Sequence, residues 1–149
     1  MKISLHDWLE KGWLTEHQTS PQEITELLNV AVRDLHDCQT AGLSTDWKLN
    51  IAYNAALQVA TAALAATGYR TARSAHHYRV IQSLTHTIDA DAKLIAQLDA
   101  FRKKRNISGY ERSGMVSEQE AREMLTLAEH LHNRVRGWLH SNHPELLQD

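Results

Sequence analysis

The densest chemistry in this chain of 149 residues lies near its middle, where Arg102, Lys103, Lys104, Arg105 and Arg112 place five of sixteen basic residues within eleven positions. Such a cluster can track a phosphate backbone, because its cations replace the counterions that condense on it. Arg105 is followed directly by Asn106. A guanidinium stays charged and can hold two phosphate oxygens at once, and a neighbouring amide can orient it or a ribose. Tyr110 follows in the same stretch. With a reference pKa near 10, a tyrosine is a poor base at neutral pH, but it suits proton donation or stacking on a nucleobase. Lys103 and Lys104 also fit a plainer role, as cations favoured near a helix C-terminus by its dipole.

Ten histidines raise the question of a metal. His76 and His77 are adjacent, so on a helix they point about 100° apart and are badly placed to share one ion. Glu129 and His132 make one Glu-x-x-His pair, whereas a di-iron bundle needs two pairs and two further Glu. His140 and His143 lack a third partner. Neither a metal nor a cofactor is therefore expected. There is no Gly-rich phosphate loop and no Gly-x-Ser-x-Gly elbow. The one cysteine, Cys38, falls on an apolar helix face, where a structural role is expected rather than a nucleophilic one.

Charge is unevenly spread. Residues 1–50 carry four basic and eight acidic side chains, 69–112 carry nine and four, and 113–149 carry three and six. A basic middle within a chain of net charge -2 suits a phosphate-bearing ligand. The N-terminus meets charge too early for a signal peptide. The apolar stretch 51–68 is Ala-rich and carries Asn54 and Gln58, which argues against a bilayer span. A cytoplasmic protein with no membrane partner is expected.

The elements that must position these residues are helical. Only six Gly and two Pro interrupt the chain, and no segment alternates as a strand would. Leu5, Trp8 and Leu9 suggest a short first helix. Ser20-Pro21-Gln22-Glu23 predicts a capping box opening a helix whose apolar face is Ile24, Leu27, Leu28, Ala31, Leu35 and Cys38, with Gly42 as its stop. A small-residue helix follows from Ser44 or Thr45 to Gly68, its alanines permitting close approach of neighbours. Further helices are predicted from Ser74 to about Thr85 and from about Asp89 to Arg105, then a loop from Gly109 to Gly114. Ser117-Glu118-Gln119-Glu120 caps a last long helix with Met124, Leu131, Val135 and Trp138 on its apolar face. The expected fold is all-α: one domain over 1–149, an antiparallel bundle of four long helices with one or two short ones. Trp47 and Trp138 lie on or near apolar faces, in the core or at an interface.

The order of these pieces resembles the HEPN family. The likeness rests on Ala52-Tyr53-Asn54-Ala55-Ala56, the Gly68-Tyr69 turn, His76-His77-Tyr78-Arg79, and Arg105-Asn106 closing the next helix, and it spans roughly residues 44–112. It implies a helical bundle, often dimeric, in which an Arg, a polar residue and a following His form a metal-independent endoribonuclease site. Arg105 and Asn106 match the first two. The His belongs four to six residues beyond the Arg, where this chain has Tyr110; alternatively Tyr110 matches a Tyr that often follows that His, with the His lost. His76 or His77 is then the base that the fold would have to supply. The resemblance further implies an RNA or nucleotide ligand, a homodimer, and a nucleotidyltransferase-like or antitoxin partner in a toxin–antitoxin or phage-defence setting. Its alternative is a catalytically silent bundle that binds a nucleotide or a protein.

Overall fold

A computed structural model describes residues 4–73, 76–110 and 116–147, with 106–110 described by backbone alone. Among these residues the chain forms six α-helices: α1 (Leu5–Glu10), α2 (Pro21–Asp37), α3 (Thr45–Ala66), α4 (His76–Thr87), α5 (Ala92–Tyr110) and α6 (Glu118–Asn142). Two short strands, β1 (Leu14–Glu16) and β2 (Tyr69–Thr71), and a 3-10 turn at Pro144–Leu146 complete the order. The all-α bundle is as expected, with α2, α3, α5 and α6 as its long members.

Capping explains where several helices start. Ser4 with Asp7 and Ser117 with Glu120 form complete capping boxes on α1 and α6. The Ser20 hydroxyl accepts from the Glu23 amide, but the Glu23 carboxylate turns instead to His17 and Thr19. The box predicted there is thus only half made. Glu23 is drawn off by two side-chain donors lying upstream.

The apolar core is organised around α3. Leu49, Ala52, Tyr53, Ala55, Ala56, Val59, Ala60, Ala62 and Ala63 are all buried, on every side of the helix. Small side chains let α2 and α6 approach closely from different directions, as close packing at native density requires. A window of α3 is apolar and long enough to cross a membrane by composition alone, contrary to the sequence expectation. Two thirds of that window is buried against neighbouring helices, as in a core helix.

Polar ties fix the directions. Asn54 donates to the buried Asp34 carboxylate at 2.6 Å, pinning the end of α2 beside the middle of α3. The backbone amide of His17 reaches the Gly68 carbonyl at the opposite end, so α2 and α3 run antiparallel. Thr45 donates to the Val116 carbonyl at 2.8 Å and Lys48 pairs with Glu118 at 3.6 Å. The starts of α3 and α6 therefore share one end of the bundle, with the α4–α5 pair intervening in sequence.

Three elements depart from expectation. β1 and β2 pair antiparallel, Leu14 with Thr71 and Glu16 with Tyr69. Three residues are too short to show alternation, which is why no strand was legible. Gly68, at φ +96°, makes the turn from α3 into β2 that a side chain would oppose. Helix α5 begins at Ala92 rather than Asp89, which has φ 58°, and it continues to Tyr110. Asn106 and Gly109 are thus helical rather than at a helix end and in a loop. One glycine costs a helix only about 1 kcal/mol, too little to end it. α4 begins at His76 and ends at Thr87; Ser74, its predicted start, lies outside the described residues, as does 111–114 of the predicted loop.

Candidate functional site

The side chains gather over Tyr53. Its place in the middle of α3, flanked by small residues, leaves the side chain 1% exposed. From α4, the His77 ring lies 6.0 Å from the Tyr53 ring, the planes tilted by 42°. From α5, the Arg105 guanidinium carbon lies 5.5 Å from the Tyr53 ring centroid. Arg102, one turn earlier, stands 5.4 Å from the ring of Tyr78, itself on α4 and exposed. These distances fall in the range where a ring face attracts a cation. Arg102 and Arg105 are three residues apart, and so share a side of α5.

The electrostatics follow from this crowding. Burial pushes the Tyr53 phenol up to about 12, although Arg105 and Arg102 pull it down. Its hydroxyl is buried without a hydrogen-bond partner among the described residues. Burial also lowers the His77 imidazole, and Arg105, His76 and Arg102 lower it further. His77 is therefore neutral at pH 7, able to accept a proton beside a permanent cation. Burial works to raise the Asp99 carboxyl, but hydrogen bonding and charge from Arg102 and Lys103 outweigh it and hold it below the usual carboxylate range.

The structure sorts the basic cluster. Arg105 faces Tyr53. Arg102 donates to Asp99 at 2.8 Å, and Lys103 pairs with the same carboxylate at 3.4 Å. Lys104 crosses to Glu120 on α6 at 3.4 Å. The two lysines do not stand at the C-terminus of α5, which runs on beyond them; they are cations of ion pairs. Asn106 and Tyr110 occupy the last turns of α5, their side chains outside the described set, and Arg112 lies outside it altogether. Of the two histidines, His77 joins Arg105. His76 faces elsewhere, with its Nδ1 against the Thr71 hydroxyl. Their rings nevertheless lie 5.5 Å apart.

A second feature was not foreseen. A cavity of about 420 Å³ opens between α2, α3, β2 and α4, with Glu23, Arg70, Arg73 and His76 among its polar walls and Leu27, Leu64 and Val80 among its apolar ones. Glu23 Oε1 accepts from His17 at 2.7 Å and from Thr19 at 2.6 Å. Burial works to raise this carboxyl, but those bonds and the nearby Arg70 hold it low. The available signal was the close succession of Arg70, Arg73 and His76 at the start of the basic segment. In sequence Glu23 reads only as part of a capping box.

Elsewhere Cys38 fits a structural role. Among the described residues no group of three His, Cys, Asp or Glu side chains is placed to hold a metal ion. Cys38 is buried, and burial first, then Glu129 and Asp34, raises its thiol. Trp138 is partly buried against the core, whereas Trp47 is 61% exposed. No family model matches the chain, and no curated protein matches it in sequence.

Proposed function

We propose that this chain is a HEPN-like RNA-binding protein that cleaves RNA without a metal, using His77 as base and Arg105 as the phosphate clamp. The observation that carries the reading is their convergence from different helices: a neutral imidazole and a guanidinium approach one buried ring, to 6.0 and 5.5 Å from its centroid. His77 thereby supplies the group that the resemblance leaves missing after Arg105. In the step, the imidazole takes the proton of a ribose 2′-OH, whose oxygen attacks the adjacent phosphorus. The bond from phosphorus to the 5′-oxygen breaks, leaving a 2′,3′-cyclic phosphate on one fragment. The departing 5′-oxygen takes a proton, for which Tyr110 is the sequence's candidate donor. Arg105 offsets the charge that builds on the phosphoryl oxygens, the role in which a preorganised cation contributes most.

A second reading, RNA or nucleotide binding without cleavage, is favoured by one observation. Arg102, Lys103 and Lys104 are all engaged by Asp99 or Glu120, which reduces the cation available to an RNA backbone. In either reading we place the chain in a homodimer, to which the exposed Trp47 suits it, and beside an antitoxin or nucleotidyltransferase-like partner. The deciding experiment incubates the folded protein with mixed RNA in excess EDTA, beside Arg105→Ala and His77→Ala variants. Cleavage by the native chain, ending in cyclic phosphate and lost in both variants, supports the reading. Absence of cleavage with RNA still bound selects the silent alternative.

A further inference from the structure

The 420 Å³ cavity has the size of a small-molecule site and a lining of opposed chemistry. On one wall, both bonds to Glu23 fall on Oε1. Among the described residues no partner reaches Oε2, so this carboxylate, an acceptor only, calls for a ligand that brings an N–H donor. Arg70 and Arg73 are also in the lining, Arg70 near enough to Glu23 to help lower its carboxyl. They call for an anion, and a guanidinium suits a phosphate best. Leu27, Leu64 and Val80 supply the apolar surface that a flat ring needs. His76 stands at the border, its ring 5.5 Å from that of His77. The cavity therefore adjoins the cluster at Tyr53 without sharing Arg105.

We infer that the cavity is a nucleotide-binding subsite, which takes a base with an exocyclic amine against Glu23 and its phosphate against Arg70 and Arg73. Its occupant rests on the RNA reading above: it is the nucleotide next to the bond that His77 and Arg105 address. A carboxylate here accepts from the amine of adenine, cytosine or guanine; uracil, which has a carbonyl at the amine's place and only its ring N3–H to offer, is disfavoured.

Calorimetric titration of the native protein with AMP, CMP, UMP and inorganic phosphate tests this directly, without reference to cleavage. AMP or CMP is expected to bind at least tenfold more tightly than UMP or phosphate. Glu23→Gln is expected to weaken the amine-bearing nucleotides at least tenfold and to shrink their advantage over UMP. Thr61→Leu, which fills the cavity from α3, is expected to weaken all the nucleotides. Thermal melts establish that each variant is folded, and Gln119→Ala, exposed at the start of α6 and outside the cavity lining, serves as control, retaining native AMP affinity. If AMP and CMP fail to bind the folded native protein, or bind equally to Glu23→Gln and Thr61→Leu, the cavity is not this subsite, whatever happens to RNA. If they bind through Glu23 but RNA is not cleaved, the subsite stands and the nuclease reading fails.

Discussion

Arg105 and His77, from different helices, both lie against the buried ring of Tyr53, one 5.5 Å and the other 6.0 Å from its centroid. A cation so placed disfavours a proton on the imidazole and favours one leaving the phenol, yet burial prevails at Tyr53 and raises it all the same. The result is a neutral acceptor beside a fixed positive charge.

Arg105→Ala is expected to reduce RNA cleavage by about 100-fold or more, the usual loss when one donor to a developing oxyanion is removed. Arg105→Lys should recover little, since an ammonium has neither the planar fork nor the same affinity for a ring face. Initial rates on a short labelled RNA measure both. Equal rates in the native protein and both variants would remove Arg105 from the chemistry.

The rate of cleavage should rise with pH and level off by neutrality, with a midpoint below the ordinary histidine value of 6.5, because burial and then Arg105, His76 and Arg102 lower His77. Stability should follow the same direction. His76, His77 and His132 all hold protons less tightly in the fold than in the unfolded chain. Their contribution is complete above 6.5 and is lost as the pH falls below it towards the folded values. Melting temperatures between pH 7.5 and 5 test this, and an unchanged midpoint would contradict it.

Tyr53 should not ionise until well above pH 10, its folded value standing at about 12. A phenol that is raised on folding stabilises the protein below the unfolded value and loses that contribution as the pH climbs from 10 to 12, a difference of about 3 kcal/mol. Absorbance of phenolate in the native protein and in Tyr53→Phe isolates this one group. The same variant removes a buried hydroxyl that lacks a partner among the described residues, so its stability at pH 7 should equal or exceed that of the native chain.

Asp99→Asn releases Arg102 and Lys103 from their shared carboxylate. Stronger RNA binding at low salt is expected, together with a salt dependence steepened by about 0.7 for each additional phosphate contact. Binding isotherms across a salt series separate this from a change in fold. An unchanged slope would mean that the two cations do not reach the RNA.

Asn54→Ala leaves the buried Asp34 without its 2.6 Å donor. A loss of about 1–3 kcal/mol is expected, since a buried acceptor stripped of its partner bears the cost of desolvation. Chemical denaturation measures it, and a change within error would show that Arg33 or water takes over.

The bundle was legible because its signals are local: Ser caps, spaced Leu and Ile, and a run of Ala that only close neighbours could use. Half of the Ser20 capping box was misread for the opposite reason. Whether Glu23 turns back to its own helix or across to His17 and Thr19 depends on where the preceding chain lies. The site shows the same division. Arg105 stood out by type and neighbourhood, but its pairing with His77 spans two helices and an intervening turn, which spacing alone cannot resolve. Lys103 and Lys104 looked like terminal cations only while α5 was expected to stop at Arg105. The cavity draws its walls from three separate stretches, of which only the succession Arg70, Arg73 and His76 carries a signal in sequence.

The β1–β2 ladder joins residues more than fifty positions apart in sequence, from Leu14 to Thr71. Such a closure earns its contacts only after the intervening helices have docked, so it belongs to the late steps of assembly. It is also short, which places it among the segments that open most readily in the native state. Parting this ladder would leave the core around α3 intact while freeing the stretch that holds Arg70 and Thr71. Amide exchange should accordingly find a lightly protected patch here on an otherwise slowly exchanging bundle, beside the wall of the cavity that Arg70 and Thr71 supply.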